Sequence, residues 1–172
     1  MNKKKLKYRV TYLEMNRRPS FDWPKNLKHK LSILLAESFP AWYFLFFYKQ
    51  VGKNYYWTDW LRKSEDEIDE FVNDKNVLLY TLIKDGWPVG FYMLDYRKKD
   101  ICDLSFFGLV DEVIGIGLGK YLLQTAILTA WDSKKIKKLT VNTCSLDHKS
   151  AIYLYQKYGF TPVKYKDLEK TV

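Results

Sequence analysis

The segment of residues 110–123, VDEVIGIGLGKYLL, limits the folds open to this chain more than any other stretch. Its hydrophobic pattern changes from a strand-like run to a helical one across a loop that contains Gly115, Gly117 and Gly119. Glycine lets the main chain adopt a positive φ angle and lets main-chain amides approach a ligand closely. The segment therefore predicts a strand that leads, through a tight turn, into the amino terminus of an amphipathic helix.

The same turn predicts a site for an anion. The first N–H groups of a helix have no partner inside the helix, and the positive end of the helix dipole points the same way. Lys120 adds a positive charge, so the loop predicts a cradle for pyrophosphate. A Walker loop would need Ser or Thr where Tyr121 stands, and the glycine spacing is not that of a dinucleotide fingerprint. A tight turn that binds nothing stays open as the alternative.

The segments before this loop predict strands. Alternating and β-branched residues predict a first strand over residues 8–15. The dipeptide Asp85-Gly86 separates two β-rich runs, which is the pattern of a hairpin. The hairpin and the run that follows predict an antiparallel meander of three strands, over residues 76–83, 89–96 and 101–110.

Helices are predicted on both sides of the loop. Pro40 suits a first helical turn and predicts a helix over residues 40–48, and Ser64 with Glu67 has the spacing of a capping box, which predicts a helix over residues 65–73. Helical spacing recurs over residues 119–131 and 150–158, and Gly159 stands like a C-cap. Two further short strands are predicted, over residues 139–143 and 160–165.

This order predicts the α+β fold class, a mixed α/β arrangement with an antiparallel meander followed by helix, strand, helix and strand. The chain has 172 residues without an internal repeat or a low-complexity linker, so one domain over residues 1–172 is expected. The parallel pairing implied by the second half predicts a partly parallel centre of the sheet.

Composition narrows the partners and the compartment. The net charge of +9 favours an anionic partner such as nucleic acid, an anionic membrane or a phosphate-rich cofactor, or reflects solubility alone. Cys102 and Cys144 do not make a disulfide framework, and two histidines are too few for a zinc site, so no metal is expected. The sequence has no pattern of a signal peptide, and its most apolar run is too short to span a bilayer. A cytoplasmic protein without a membrane partner is therefore expected.

Three blocks of sequence resemble the GCN5-related N-acetyltransferase family, and the likeness extends over nearly the whole chain. Gly117 and Gly119 match the glycines of the family pattern Gln/Arg-x-x-Gly-x-Gly/Ala, while Ile114 departs from its Gln/Arg position. Residues 150–160, SAIYLYQKYGF, resemble the family signature A-x-x-x-Y-x-x-x-G-F. Residues 143–148, TCSLDH, resemble a T-C-x-L-D-H run found in a bacterial subgroup.

The resemblance implies an acyltransferase fold and an N-acetyltransferase activity. The acetyl group would pass from acetyl-CoA, as co-substrate, directly to a primary amine. Tyr155 would protonate the departing thiolate, and Asp103 would accept the proton of the amine, directly or through water, with Glu14 and Asp147 as weaker candidates. The residues expected to bind the cofactor are Leu109, Val110, Ile114, Gly115, Gly117, Gly119, Lys120 and His148.

The aromatic stretch of residues 42–60 is where the resemblance predicts acceptor binding. Trp57 and Trp60 are expected to line the acceptor pocket, where an ammonium group would be attracted to an aromatic face. Packing of these rings on the sheet is the alternative for most of the stretch. His148 would contact the pantetheine arm or cap the last helix, and the sequence does not decide between these roles.

Two other functions remain open at this point. A coenzyme A-binding regulatory module would keep the fold without the catalysis, and a nucleic-acid-binding protein would use the charge and the aromatics but lacks a recognisable motif. The acceptor stays open between a small molecule and a protein amine, as does the formation of a homodimer.

Overall fold

The computed structural model describes residues 5–25 and 29–171. These residues form a sheet of seven strands: β1 (Lys5–Met15), β2 (Leu31–Ala36), β3 (Val77–Lys84), β4 (Trp87–Asp95), β5 (Ile101–Leu109), β6 (Lys138–Cys144) and β7 (Thr161–Thr171). Four α-helices accompany the sheet: α1 (Ala41–Gly52), α2 (Glu65–Val72), α3 (Leu118–Ser133) and α4 (Ala151–Lys157). The α+β arrangement predicted from the sequence is confirmed.

The strands lie in the order β2-β3-β4-β5-β6-β1-β7, and every neighbouring pair is antiparallel except β5 and β6. The predicted meander and the partly parallel centre are therefore confirmed. The parallel pairing extends only from Ile101 with Lys138 to Asp103 with Thr140. Beyond this point the two strands diverge, and we call the gap between them the splay.

A β-bulge in β5 lies at the start of the splay. Met93 pairs with Phe106 and Leu94 with Leu104, so Ser105 is the extra residue. The bulge shifts the alternation of side chains along β5. The ring centroid of Phe106 lies 5.1 Å from that of Phe44 in α1, whereas the ring of Phe107 lies 6.1 Å from that of Tyr155 in α4. One strand thereby serves the helices on both faces of the sheet.

Helices α1 and α3 cover opposite faces of the sheet. Phe91 stacks on Phe47 of α1 at 5.0 Å, while its neighbour Tyr92 shares a hydrogen bond of 3.1 Å with Thr129 of α3. Adjacent residues of a strand point to opposite faces, so the two helices sandwich the meander. Both strand side chains are fully buried, and α3 adds the largest block of buried aliphatic residues, including Leu122, Leu123 and Ile127.

The carboxyl end of α1 approaches the sheet very closely. A Cβ atom at Gly108 of β5 would lie 2.2 Å from a methyl carbon of Val51, and one at Gly52 would lie 2.3 Å from Cβ of Trp57. Both glycines thus leave room for a neighbour that a larger side chain would displace. The close approach holds the chain that follows α1 against the end of β5.

The structure also differs from the sequence prediction at three places. The edge strand β2 has no predicted counterpart, because its residues do not alternate cleanly and Leu34 and Leu35 are exposed. β7 extends to Thr171, beyond the predicted end at residue 165, and β1 begins at Lys5. Both extensions pair with each other, from Lys5 with Thr171 onward, which is a long-range contact that local sequence patterns do not reveal.

Three further features concern membrane spans, the cysteines and a helix cap. No helix in the described ranges is long and apolar enough to cross a membrane. Cys102 is buried and Cys144 is half-buried, and both are free thiols. The capping box predicted at Ser64 and Glu67 is present, with both reciprocal hydrogen bonds formed.

Candidate active site

A cavity of about 550 Å³ opens at the splay. Its walls come from β5 and β6, from the turn before α3, from α4 and from the segment that follows α1. The residues of this cavity include Trp57, Ser105, Phe107, Leu109, Ile114, Gly115, Gly117, Gly119, Lys120, Asn142, Asp147, His148 and Tyr155. Nine of the twelve residues predicted from the sequence to form the site therefore meet around one space.

The glycine turn forms one end of this cavity. Gly115 and Gly117 have φ angles of 90° and 89°, and a Cβ atom at either would meet no heavy atom within 4 Å. Left-handed φ angles of this kind are strained for residues other than glycine. The glycines are therefore required by the backbone conformation, and the space in front of them is open.

The amino terminus of α3 lies at the same end. Gly117 is the N-cap residue and has no side chain that could cap the helix, and the first turn of α3 contains no acidic residue. Neither the N-cap nor the first turn thus supplies a carboxylate that would compete for the first N–H groups, and Lys120 stands beside them. This arrangement favours an anion through both direct hydrogen bonds and the helix dipole.

Polar contacts hold the turn in place. Asp111, just after β5, accepts a hydrogen bond of 2.7 Å from Nδ2 of Asn54 and forms an ion pair of 3.1 Å with Lys53. Both partners follow α1. Ile114, which occupies the position where the family pattern has Gln or Arg, is 40% exposed and lines the cavity. An apolar side chain at this position leaves the binding of an anion to main-chain groups and Lys120.

The free edge of β5 faces the splay. The Val110 N–H donates to the Val89 carbonyl at 2.9 Å, so this amide is used within the sheet. Main-chain N–H groups alternate in direction along a strand, so the amides of Leu109 and Phe107 both point to the edge opposite that of Val110. Val110 is buried and contributes no free amide. The main-chain edge available to a ligand is therefore that of Phe107 and Leu109.

Tyr155 is buried in α4 and reaches the cavity wall between the rings of Phe107 and Phe160, at centroid distances of 6.1 and 5.8 Å. Burial raises the pKa of Tyr155 well above its ordinary value, and the negative charges of Asp147 and Asp103 raise it further. The phenol is therefore neutral and keeps its proton throughout the physiological range.

Asp103 lies in a neighbouring cleft of about 640 Å³, on the face of β5, β6 and β1 that α3 does not cover. We call it the open-face cleft; its residues include Tyr12, Glu14, Asp95, Arg97, Lys98, Asp103, Lys138, Thr140 and Asn142. The Asp103 carboxylate accepts hydrogen bonds from Oγ1 of Thr140 at 2.6 Å and from Oγ of Ser105 at 2.8 Å. Because Ser105 also lines the cavity, its hydroxyl connects Asp103 to the splay.

The weaker candidates for a base are both engaged. Glu14 forms an ion pair of 2.7 Å with Lys138. Asp147 accepts three hydrogen bonds: from Nε1 of Trp57 at 3.1 Å, from Oγ1 of Thr143 at 2.8 Å and from the Cys144 N–H at 2.7 Å. Asp147 therefore holds the indole of Trp57 across the splay from the loop that follows β6.

The two tryptophans predicted to bind the acceptor have different surroundings. Trp57 lines the cavity. Trp60 lies outside both the cavity and the open-face cleft and packs in the cluster between α1, α2 and β5, with ring distances of 4.5 Å to Phe71 and 5.2 Å to Phe44. Trp60 thus supports the wall without reaching the described cavities.

His148 lies both at the start of α4 and on the wall of the cavity. Its Nδ1 accepts a hydrogen bond of 3.2 Å from the Ser150 N–H at the start of α4, so it caps the helix. The same side chain is exposed and lines the cavity. An Nδ1 that accepts a hydrogen bond leaves Nε2 as the N–H donor of the ring.

Residues 36–160 match the sequence model of the acetyltransferase (GNAT) family. The chain belongs to this family. The match covers the glycine turn, β5, β6 and α4, which are the elements that build the cavity. The family predicted from the sequence is confirmed, whereas the subgroup with the T-C-x-L-D-H run stays a prediction. No curated protein sequence matches the chain significantly.

Solved structures of GNAT proteins share the fold. A GNAT family acetyltransferase from Elizabethkingia anophelis, with acetyl-CoA bound, aligns with a TM-score of 0.57 and 23% identity over 78% of each chain. A GCN5-related N-acetyltransferase from Kribbella flavida gives 0.59 and 14%, over 95% of this chain and 57% of that one. A functionally unknown conserved protein from Staphylococcus epidermidis gives 0.65 and 13%, over 96% and 62%. The chain thus spans less than two thirds of the length of the last two proteins.

Sequence reasoning missed Ser105 and Asn142 of this GNAT site. Asn142 lines both the cavity and the open-face cleft, and Ser105 connects them through Asp103. The sequence does contain a signal for Ser105, since Ser105 and Asp103 are the polar side chains of an otherwise apolar strand and lie two residues apart. The bulge that makes it an extra residue, however, depends on pairing with β4.

Proposed function

We propose that the chain is an acetyl-CoA-dependent N-acetyltransferase that moves an acetyl group to a primary amine by direct attack. One observation carries the proposal: a single cavity joins a helix amino terminus suited to an anion, a free strand edge and a buried tyrosine that keeps its proton. The GNAT family and the acetyl-CoA bound by the Elizabethkingia relative support the choice of cofactor.

The glycine turn fits a pyrophosphate. The open space before Gly115 and Gly117 admits phosphate oxygens, which the first amides of α3 would bind. Lys120 would add a charge-assisted contact. Gly119 lies on the cavity wall, where an added Cβ would make only ordinary contact, at 3.9 Å, with side chains of both Leu109 and Leu154.

The free edge of β5 fits the pantetheine arm. An extended amide-bearing chain would bind to the main-chain groups of Leu109 and Phe107 in the manner of an added strand. An N–H at this edge would also donate to the thioester carbonyl and stabilise the negative charge that develops on its oxygen. His148, with Nε2 as donor, would contact the same arm from the opposite wall.

The reaction needs one proton acceptor and one donor. A primary ammonium must lose a proton before its nitrogen attacks the thioester carbon, and Asp103 would take that proton through the Ser105 hydroxyl or a water. As the new C–N bond forms, the C–S bond breaks. Tyr155 would then give its proton to the departing thiolate, and the phenolate would be reprotonated, through water, by the second proton that the nitrogen loses as it becomes an amide.

The test is a thiol-release assay with acetyl-CoA and a broad panel of primary amines, combined with calorimetric titration of coenzyme A. We expect binding of coenzyme A and release of thiol only when an accepted amine is present. Tight binding of coenzyme A without thiol release across the panel would instead establish a regulatory module. The absence of any binding of coenzyme A would contradict the proposal as a whole.

A further inference from the structure

The open-face cleft contains charged groups that the proposed reaction leaves unexplained. Its volume of about 640 Å³ suits a small molecule. Three carboxylates and three cationic side chains line it: Glu14, Asp95, Asp103, Arg97, Lys98 and Lys138. The cleft is therefore close to neutral in sum while both signs of charge are present.

Two ion pairs account for four of these six groups. Glu14 pairs with Lys138, and Asp95 pairs with Arg97, each at 2.7 Å. Asp103 differs, because within residues 5–25 and 29–171 no lysine or arginine forms an ion pair with it. Its only hydrogen-bond partners in that part of the chain are the hydroxyls of Thr140 and Ser105. Asp103 is thus ready to receive a positive charge.

Arg97 is held in a fixed orientation beside it. Nε and Nη2 donate to the Asp95 carboxylate at distances of 2.7 to 3.1 Å, and Cζ lies 4.9 Å above the ring of Phe71. Nη1 makes no hydrogen bond to another described residue. Asp95 is the register partner of Asp103, so the two carboxylates project from the same face of neighbouring strands, and Arg97 is held by the first of them. An ordered guanidinium with a free edge is a preferred partner of a carboxylate.

Lys98 is the second available cation. It lines the same cleft, and it forms no ion pair with any residue of the described ranges. Once the two ion pairs are set aside, the cleft presents the Asp103 carboxylate, the Lys98 ammonium and the free Nη1 edge of the Arg97 guanidinium. A polycationic amine would meet both Arg97 and Lys98 with like charges.

We propose that the acceptor is an amino carboxylic acid, which binds with its amine at Asp103 and its carboxylate at Arg97 and Lys98. This rests on the proposed function, since it names the class of amine that the same site acetylates. A zwitterion matches a cleft that is neutral in sum, and each end of it meets a group of opposite charge. A singly charged amine without a carboxylate would leave Lys98 and the Nη1 edge of Arg97 without a carboxylate to bind.

Matched pairs of amines test the proposal directly. Amino and ω-amino carboxylic acids are each compared with the amine that lacks the carboxylate, for example lysine with cadaverine, phenylalanine with phenethylamine and 4-aminobutyrate with propylamine. For the accepted member we expect kcat/KM at least about tenfold above that of its partner. Equal or better use of the amines without a carboxylate would overturn the inference while leaving the proposed function intact.

Variants locate the effect in the cleft. Lys98→Gln and Arg97→Gln should each lower the preference for the carboxylate-bearing member about fivefold or more. Arg97→Lys, which keeps the positive charge, should retain part of that preference. Lys99→Gln is the matched control, because Lys99 is exposed, adjacent and outside the cleft. A preference that survives both Lys98→Gln and Arg97→Gln would place carboxylate recognition elsewhere and refute the assignment.

A binding arm separates this inference from the reaction. Calorimetric titration of the amino acids into the protein saturated with coenzyme A reports binding without turnover. Binding that weakens in Asp103→Asn and Lys98→Gln but leads to no thiol release would support the inference while contradicting the proposed function. If no member of either set binds or reacts, the inference is refuted, whether or not another amine such as spermidine is acetylated.

Discussion

The two cavities on either side of the splay are lined by different kinds of groups, main-chain groups in one and charged side chains in the other. The cavity beneath α3 and α4 relies on main-chain conformation at Gly115 and Gly117 and on a free strand edge. The open-face cleft relies on charged side chains carried by β1, β5 and β6 and the end of β4. Main-chain contacts suit a ligand that is the same in every reaction cycle, as a cofactor would be. Charged side chains suit a ligand that must be distinguished from similar molecules, as an acceptor would be. Changes to backbone and changes to charge should therefore separate cofactor binding from acceptor choice.

The largest expected effect is on cofactor affinity, through Gly117→Trp. The indole would fill the space before the turn, and a residue other than glycine is strained at a φ of 89°. We expect the affinity for coenzyme A to fall about a thousandfold, as loss of the main anion contacts implies. Isothermal titration measures it.

Gly86→Trp is the matched control for that change. Gly86 has a φ of 91° and equally open surroundings, but it lies in the hairpin between β3 and β4. It should lower the free energy of unfolding by about 1 to 2 kcal/mol through the same backbone strain, with unchanged affinity. An equal loss of affinity in both variants would mean that strain, not filling of the cradle, was responsible.

The next effect concerns turnover, through Tyr155→Phe. Removal of the phenolic proton should lower kcat about a hundredfold, the contribution usual for a general acid, and leave the affinity for coenzyme A nearly unchanged. Single-turnover kinetics with titration of coenzyme A checks both. Tyr158→Phe, in the same segment but outside the cavity, should leave kcat as it is. An unchanged kcat in Tyr155→Phe would remove the residue from the acid role.

A smaller effect tests the contact that crosses the splay. Asp147→Asn would leave at least one of its three donors without a good acceptor, because an amide oxygen replaces a carboxylate. We expect a loss of about 2 kcal/mol in the free energy of unfolding, measured with urea. Asp167→Asn, which breaks only the exposed pair with Arg9, should leave the urea midpoint unchanged. The result would contradict this account if the two variants behaved alike.

The smallest effect concerns alkaline pH. Burial raises the pKa of Tyr92, Tyr96 and Tyr155 above the ordinary value of 10.0. The unfolded chain therefore loses these protons at a lower pH than the folded one, and stability that is complete below about pH 10 declines as the pH rises. Each group contributes a slope of about 1.4 kcal/mol per pH unit. Urea titrations between pH 9 and about pH 11 should give a shallower slope in Tyr92→Phe; an unchanged slope would refute this cause.

Local patterns account for what the sequence predicts about the fold and the cavity. The capping box at Ser64, the Asp85-Gly86 turn and the glycines before α3 each determine their structure within a few residues. Family resemblance then pointed to Tyr155 and His148, which lie on the cavity wall. The edge strand β2 and the length of β7 escaped prediction, because their strand character depends on partners far along the chain.

The open-face cleft could not be foreseen for the same reason. Arg97 gains its orientation from Asp95 and from Phe71 of α2, and Asp103 gains its neighbours from β6. Trp57 and Trp60 are three residues apart in one aromatic stretch, and only the contact with Asp147 shows that the first of them faces the cavity. The neighbours of side chains on separate strands can be assigned only once the pairing of the strands is known.

The position of β1 has a consequence for biosynthesis. β1 lies between β6 and β7 and pairs with both, for example through Val10 with Cys144 and Lys5 with Thr171. On the ribosome this segment is synthesised long before either partner. Both of its hydrogen-bonding edges therefore stay unpaired while the strands of the meander fold. Unpaired strands of this kind invite association between nascent molecules. Closure of the sheet thus becomes a late, non-local step, and synthesis rate and chaperone occupancy should affect the yield of folded protein more than they affect the meander.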